Sequence, residues 1–303
     1  MPTTRKSRAG SDAEWEVLAP ISELTPVIFA SPHSGRVYSP KFVKSSCLEL
    51  LKLRRSEDAF IDEIFAAAPE FGAPLLRAHF PRAYVDVNRE PYELDPEMFA
   101  DSLPDYVTTK SARIAAGLGT VAKVVTNGEE IYDHQLRFAD ARRRIEDCHA
   151  PYHKALRGLI DAAQDQFGGC LLVDCHSMPS SGNTTKRRRT PLADVVLGDC
   201  YGSSCAAAIT NLAEQTLVEL GFKVARNKPY AGGYTTRHYG RPDDGVHVVQ
   251  VEISRSLYMD EKNIQRAPNM STLTRRMARL VKELTAVDPA VLQPLASTLK
   301  AAE

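Results

Sequence analysis

The stretch Gly168-Gly-Cys-Leu-Leu-Val-Asp-Cys-His-Ser177 decides the fold. It opens on two glycines, continues with four apolar residues that favour β structure, and turns polar at Asp174. Such a run is typical of a strand buried on both faces, in the middle of a parallel or mixed sheet covered by helices. Ligands bind beyond the carboxyl ends of such strands. We therefore expect Asp174 and His176 to lie at a functional site.

Two further stretches have the same layout. Val27-Ile-Phe-Ala-Ser-Pro-His33 is an apolar strand followed by a turn that presents His33. Val246-His-Val-Val-Gln-Val-Glu252 alternates like a strand and ends on Glu252, a carboxylate that is unfavourable in an apolar strand unless it is paired or functional. The three strands should deliver acid, base or metal-binding side chains to one edge of the sheet. The alternative for His33 is a surface histidine without a role.

Composition limits the partners of this chain. Of its 303 residues, 43% are hydrophobic and 25% are charged, which is typical of a globular protein. Its 38 basic and 38 acidic residues balance, which argues against a dedicated nucleic-acid or membrane-surface binder. No apolar run approaches the ~18 residues of a membrane span, and the N-terminus lacks an apolar signal core. We expect a cytoplasmic protein that acts on a small molecule.

The order of apolar runs predicts one catalytic α/β domain over residues 13–303, after a disordered leader over residues 1–12. The six cysteines show no CxxC pair, so reduced thiols are expected. The patterns predict the following elements: strands over 74–79, 83–89 and 194–199, and helices over 56–65, 133–165, 203–220 and 260–285.

The helix predicted over residues 56–65 places Asp58 and Asp62 four residues apart, on one helix face. Acidic residues in a first turn either bind a ligand or only complement the helix dipole, and both interpretations stay open. Downstream, Asn88 and Arg89 follow the predicted strand 83–89. An arginine fork beside an amide suits a substrate carboxylate; the alternative is a structural salt bridge between Asp86 and an arginine such as Arg82.

The loop over residues 227–240 carries paired glycines, aromatic residues and a cation, and could close over a small ligand. Arg237 is the expected second anion contact there, with Tyr234 beside it. The basic run over 186–189 is either a solvated loop or a feature that steers anionic substrates. His149 and His153 lack the glutamate of a zinc helix, so a structural role is expected for His153.

Together these stretches resemble the N-formylglutamate amidohydrolase family. The matching segments are SPHSG (31–35), ED-x3-DE (57–63), VDVNR (85–89), HAPYH (149–153), VDCHS (173–177), LGD (197–199), NKPYAGGYTTRHYG (227–240) and VQVEISRSLYM (249–259). The resemblance implies a phosphorylase/hydrolase-like, three-layer α/β/α fold with a central mixed sheet, related to zinc carboxypeptidases and aspartoacylases. It also implies hydrolysis of an N-acyl amino acid such as N-formylglutamate, with release of formate, within histidine degradation.

The resemblance further implies a divalent metal, Zn²⁺, held by two histidines and one carboxylate. His33 and His176 match the histidines. Position 36 is an arginine where the related enzymes have a glutamate, so the carboxylate is expected from the next segment, as Asp58 or else Glu57 or Asp62. Asp174 either orients a ligand histidine or is structural.

In this scheme Glu252 is the general base. Asn88 and Arg89 bind the α-carboxylate, while Arg237, with Tyr234 nearby, contacts a side-chain carboxylate or the oxyanion. Three alternatives stay open: an enzyme for another N-acyl amino acid or small peptide amide, a thiol hydrolase that uses Cys175, and a non-catalytic binder of acidic amino acids. Neighbouring strand residues point to opposite faces, which argues against activation of Cys175 by His176.

Overall fold

The computed structural model describes residues 14–180 and 193–294. The predicted leader and the basic run over 186–189 lie outside the described residues. At the centre is a seven-stranded sheet with the order β1-β3-β2-β4-β7-β5-β6. Its strands are β1 (Trp15–Leu18), β2 (Val27–Ser31), β3 (Leu75–Ala78), β4 (Cys170–Met178), β5 (Val195–Gly198), β6 (Val224–Arg226) and β7 (Val246–Ser254). A small separate hairpin joins β8 (Met259–Asp260) and β9 (Gln265–Arg266).

Strand β4 is the middle strand, and all of its residues are buried, as its apolar run predicts. It pairs in parallel with β2 on one side and β7 on the other, with His176 directly opposite Glu252. The β1–β3 and β5–β7 pairs are antiparallel, so the sheet is mixed. Because the three predicted strands are direct neighbours, their carboxyl ends meet at one edge.

Helices cover both faces of the sheet. They are α1 (Pro40–Lys44), α2 (Leu50–Leu53), α3 (Ile61–Ile64), α4 (Ala112–Ala115), α5 (Phe138–Arg144), α6 (Ala150–Phe167), α7 (Ala207–Glu219), α8 (Tyr234–Tyr239) and α9 (Met270–Thr285). A π-helical turn, Ile145–His149, connects α5 to α6. None of the described helices is both long and apolar enough to cross a bilayer.

Alternation along the strands assigns the layers. Residues such as Leu172 and Val248 pack with α6 on one face, whereas Val173 and Val251 pack with α3, α7 and α9 on the other. Successive strand residues point to opposite faces, so one strand can serve both cores. This arrangement confirms the predicted three-layer α/β/α fold with a central mixed sheet.

The helix predicted over residues 56–65 is wrong in its first half. Only Ile61–Ile64 is helical, and Phe60 just before it has a φ of 67°. The backbone N–H of Asp58 donates to the carbonyl of His33 at 2.9 Å, which ties this segment to the loop after β2. Asp58 and Asp62 therefore do not share a helix face.

The strand predicted over residues 83–89 is also wrong. The segment is a series of turns, and the N–H of Asp86 donates to the carbonyl of Thr120 at 2.8 Å. Val85 and Val87 are fully buried against the α6 face, which explains the strand-like alternation. The helix predicted over 133–165 is confirmed from Phe138 onward, and the closing helix begins at Met270, later than predicted.

Candidate active site

A cavity of about 570 Å³ opens at the carboxyl ends of β2, β4 and β7. His33 reaches it from the turn after β2, His176 from the end of β4 and Glu252 from the end of β7. Asp58 reaches it from the segment that is tied to the β2 turn. Residues far apart in the sequence therefore meet in one buried space.

His33, Asp58 and His176 form a cluster whose ligand atoms lie within 4.8 Å of one another. Asp58 Oδ2 lies 2.9 Å from His176 Nδ1 and 3.4 Å from His33 Nδ1. The two imidazole rings are edge to face, with their centroids 4.9 Å apart. Two imidazoles and one carboxylate are a donor set that suits Zn²⁺ and other divalent transition metals.

Each cluster histidine has a carboxylate at its far nitrogen. His33 Nε2 donates to Asp86 Oδ1 at 2.8 Å, and His176 Nε2 lies 3.0 Å from Asp174 Oδ1. The His33–Asp86 bond is the pattern that fixes the tautomer and ring orientation of a metal-binding histidine, whereas the Asp174 oxygens are buried without a hydrogen-bond partner among the described residues. His33 Nδ1, on the cluster side, is buried without a hydrogen-bond partner among the described residues. The residues present therefore fit a bound metal ion.

Asp58 is held so that one oxygen faces the cluster. Its other oxygen, Oδ1, accepts from the Ser177 hydroxyl at 2.9 Å and from Arg255 Nη2 at 3.1 Å. The alternative ligands lie elsewhere. Glu57 pairs with Arg54, and Asp62 lies 3.3 Å from Arg77, so the structure places only Asp58 beside both histidines.

The electrostatics of the cluster favour ionised carboxylates. Burial acts to raise the pKa of Asp58, but His176 and His33 hold that pKa well below its usual value. Burial acts in the same way on Asp86, and its cationic neighbours, Arg82 first, hold that pKa well below the usual value. Negative charge is thus concentrated where a cation would bind.

Glu252 lies beside this cluster and is only 7% exposed. Burial raises the pKa of its carboxyl to about 7, although the positive charge of a protonated His176 would act in the opposite direction. Gln250 Nε2 donates to Glu252 Oε1 at 2.8 Å, while Gln250 Oε1 accepts from the Gly233 N–H at 2.8 Å. A carboxylate that is oriented and has a pKa near neutrality suits proton transfer at physiological pH.

Asn88 and Arg89 line the cavity, but much of their hydrogen-bonding capacity is used internally. Asn88 Nδ2 lies 3.1 Å from His176 Nε2, and its Oδ1 accepts from the Thr235 N–H. Arg89 donates from Nε to the Leu118 carbonyl and from Nη1 to the carbonyl of Asn88. Burial lowers the pKa of Arg89 to about 10. The alternative ion pair also forms, because Arg82 Nε lies 2.9 Å from Asp86 Oδ2.

Arg237 and Tyr234 are not among the residues that line this cavity. Arg237 is exposed and donates to the Gly232 carbonyl at 3.2 Å. The Tyr234 ring stacks on His238, with a centroid distance of 4.8 Å, and lies near His153. The structure thus places these two predicted substrate contacts on a neighbouring surface.

The surroundings of Cys175 and His153 indicate structural roles for both residues. Cys175 is fully buried in the core on the face opposite His176, and burial raises its pKa well above the usual value. Such a thiol is a poor nucleophile. His153 Nε2 donates to the Val87 carbonyl at 2.7 Å, and Nδ1 accepts from the Tyr239 hydroxyl at 2.8 Å.

The sequence did not predict a role at the site for four residues. They are Arg82, Arg113, Gln250 and Arg255, all of which line the cavity. The spacing of Gln250 two residues before Glu252 was a usable signal, because it places both side chains on one face of a strand. Nothing local distinguishes Arg113 or Arg255 from a surface arginine.

The chain is similar to known amide-bond hydrolases. The family model for N-formylglutamate amidohydrolase matches residues 25–259. The N-formylglutamate deformylase of Pseudomonas aeruginosa is 30% identical over 250 residues, which cover 82% of this chain and 87% of that protein. The N-formylglutamate deformylase of Pseudomonas putida is 29% identical over 239 residues, which cover 78% of this chain and 82% of that protein.

Solved structures are similar as well. The crystal structure of N-formylglutamate amidohydrolase from Ralstonia eutropha JMP134 superposes with a TM-score of 0.85 at 34% identity, covering 90% of this chain and 97% of that one. A gene product of Agrobacterium tumefaciens superposes with a TM-score of 0.63 at 16% identity over 96% of each chain, a likeness that bears on the fold alone.

The fold and the relatives together define the class of this protein as an α/β amide-bond hydrolase. The chain belongs to the N-formylglutamate amidohydrolase family.

Proposed function

We propose that this chain hydrolyses N-formylglutamate to formate and glutamate with the help of a divalent metal ion, Zn²⁺. The observation that carries the proposal is the convergence of His33, Asp58 and His176 beside Glu252 in one cavity. The names of the relatives support the substrate, and the buried donor set supports the metal.

In this proposal His33, Asp58 and His176 hold the metal. When bound, a divalent ion of this kind supplies a Lewis acid that polarises a carbonyl oxygen and makes water more acidic. Asp86 keeps the His33 imidazole oriented through its far nitrogen, and the Asp174 carboxylate lies 3.0 Å from the far nitrogen of His176. Ser177 and Arg255 keep the Asp58 carboxylate oriented.

Glu252 is the proton carrier. Its carboxylate accepts a proton from the water whose oxygen attacks the formyl carbon, and Gln250 keeps it oriented. As the C–N bond breaks, Glu252 returns that proton to the leaving nitrogen, so that formate and an amine are released. A pKa of about 7 allows the same group to accept the proton and then to donate it.

Two arginines are assigned to negative charges on the substrate. Arg82 interacts electrostatically with Asp58 and Glu252, and only its Nε is in a hydrogen bond within the part of the chain that the structure describes. We assign it to the oxyanion that develops on the formyl group. Arg89 is assigned to the α-carboxylate through Nη2, whose described ionic contact is Asp86 Oδ2 at 3.7 Å.

The test is a turnover assay with N-formylglutamate and N-acetylglutamate, run beside elemental analysis of the purified protein. We expect release of formate and about one metal ion per chain. His33→Ala and His176→Ala should each lose metal and turnover, whereas His134→Ala, which alters an exposed histidine, should keep both. Tight binding of N-formylglutamate without any turnover would instead identify a non-catalytic binder.

A further inference from the structure

Arg113 is a cation on the cavity wall that forms no direct ion pair with a described residue. It belongs to α4, is partly buried and lines the same cavity as Glu252. Among residues 14–180 and 193–294, none forms a hydrogen bond or ion pair with its guanidinium. A partly desolvated cation without a counter-ion is unfavourable unless a ligand supplies the charge.

The other arginines of the cavity are partnered. Arg255 donates to Asp58 at 3.1 Å and Arg82 to Asp86 at 2.9 Å, while Arg89 donates to two backbone carbonyls. Burial, together with repulsion from the nearby cation Arg237, lowers the pKa of Arg113, although the charges of Asp86 and Glu93 act in the opposite direction. Within the described part of the chain no carboxylate lies at ion-pair distance from Arg113, so its positive charge is compensated only from a distance.

The wall next to Arg113 is apolar. Residues that line it include Ala116, Leu118, Ala122, Val124 and Val125. A cation beside an aliphatic surface suits a ligand with a short methylene chain that ends in a carboxylate.

Hydrogen bonds also attach this wall to the segment over residues 86–93, which carries Asn88 and Arg89. The Ser111 hydroxyl caps α4 by accepting from the Ile114 N–H at 3.0 Å. Arg89 donates to the Leu118 carbonyl at 2.8 Å, and the Thr120 carbonyl accepts from the Asp86 N–H at 2.8 Å. Arg113 is thus presented from a segment whose position relative to the metal-binding residues is set before a ligand arrives.

We propose that Arg113 binds the side-chain carboxylate of the substrate and determines the specificity for acidic N-acyl amino acids. This inference rests on the proposed function, which it deepens. A guanidinium fork matches a carboxylate with two parallel hydrogen bonds. A neutral amide of the same size cannot supply the missing charge, so N-formylglutamine should bind less well.

The experiment compares N-formylglutamate with N-formylglutamine in the wild-type protein and in Arg113→Gln. For N-formylglutamate, kcat/KM should fall about 10- to 100-fold, mainly through KM, because a charged hydrogen bond is lost. For N-formylglutamine, kcat/KM should stay within about twofold. Arg113→Lys should keep part of the preference, and Arg275→Gln, on the exposed face of α9, should keep all of it.

Three results would overturn the inference. An equal loss on both substrates would assign Arg113 to the α-carboxylate or to the structure. Unchanged kinetics in Arg113→Gln would remove it from binding. Loss of the preference in Arg237→Gln but not in Arg113→Gln would move the role to the exposed arginine. If Arg113→Gln does not fold, the partial preference expected of Arg113→Lys decides the question.

Failure of the proposed function would look different. In that case the wild-type protein would release no formate from N-formylglutamate. Calorimetric binding of N-formylglutamate and N-formylglutamine would still test Arg113. Tighter binding of the acid that is lost in Arg113→Gln supports the inference, and equal binding of the two compounds by the wild-type protein contradicts it.

Discussion

At the scale of single residues, the two carboxylate oxygens of Asp58 make different contacts. Oδ2 faces His33 and His176, whereas Oδ1 accepts hydrogen bonds from Ser177 and Arg255. Ligand carboxylates that are hydrogen-bonded in this way bind metal in a fixed orientation. In the proposed metal site, Arg255 therefore acts on the metal through the orientation of Asp58.

Arg255→Gln should weaken Zn²⁺ binding by about 10- to 100-fold, because Asp58 loses a charged donor that orients it. Competition with a chromophoric chelator measures this affinity. Arg54→Gln is a matched control, since Arg54 pairs with Glu57 and not with Asp58. Equal zinc affinities of the wild-type protein and Arg255→Gln, both folded, would contradict the positioning role.

Glu252→Gln should retain metal and lower kcat by at least about 100-fold, because the amide has the shape of the carboxylate but cannot accept the proton. Single-turnover kinetics and elemental analysis measure the two effects. Glu219→Gln, on the exposed surface of α7, should change neither. Near-normal turnover in Glu252→Gln would exclude the residue as the general base.

At the scale of elements, the helix from Phe138 to Phe167 supports the segment that carries Asn88 and Arg89. Its π-helical turn ends at His149, whose Nε2 donates to the Arg89 carbonyl at 2.9 Å. One turn later His153 donates to the carbonyl of Val87. These bonds hold the backbone on either side of Asn88. Single π-turns of this kind are frequent near functional sites.

His153 should make folding sensitive to acid. Burial is the main cause that lowers its pKa to about 3, so the folded protein keeps it neutral where the unfolded chain, with a pKa of about 6.5, takes up a proton. Its contribution to stability is therefore complete above pH 6.5 and is lost progressively as the pH falls toward 3.

Urea unfolding with EDTA present should show this loss. Between pH 7 and pH 5, the free energy of unfolding of the wild-type protein should fall by about 2 kcal/mol more than that of His153→Gln. His134→Gln, at an exposed position, should behave like the wild-type protein. Parallel pH profiles for wild-type and His153→Gln would show that His153 is not held neutral.

At the scale of the whole molecule, the residues of the proposed metal site connect three distant parts of the chain. His33 follows β2, His176 lies near the end of β4 and Asp58 comes from the segment before α3, so the three residues meet only when the sheet has formed. An ion held by all three therefore binds the native state in preference to the unfolded chain and should stabilise it by mass action.

Removal of metal with a chelator should abolish turnover and lower the Tm, and added Zn²⁺ should restore both. At about 100 times the Kd, the stabilisation should be about 2.7 kcal/mol. Calorimetric scans at several zinc concentrations measure the effect, and His33→Ala should not respond to zinc. Full turnover after exhaustive chelation would contradict a catalytic metal.

The sequence by itself determined the strands and their polar ends. The apolar runs before Asp174, His33 and Glu252 indicate buried strands, because burial of a strand gives a local sequence pattern. The same pattern led to the wrong prediction of a strand over residues 83–89, where Val85 and Val87 are buried although their segment forms a series of turns.

Only the tertiary structure decided which atoms meet. The sheet order makes β2, β4 and β7 neighbours, and the bond from the Asp58 N–H to the His33 carbonyl selects Asp58 over Glu57 and Asp62. Arg113 gains its position from contacts of its segment with the loop over 86–93. Periodicity reports how each residue is buried, but the distance between two side chains depends on long-range packing that no local pattern contains.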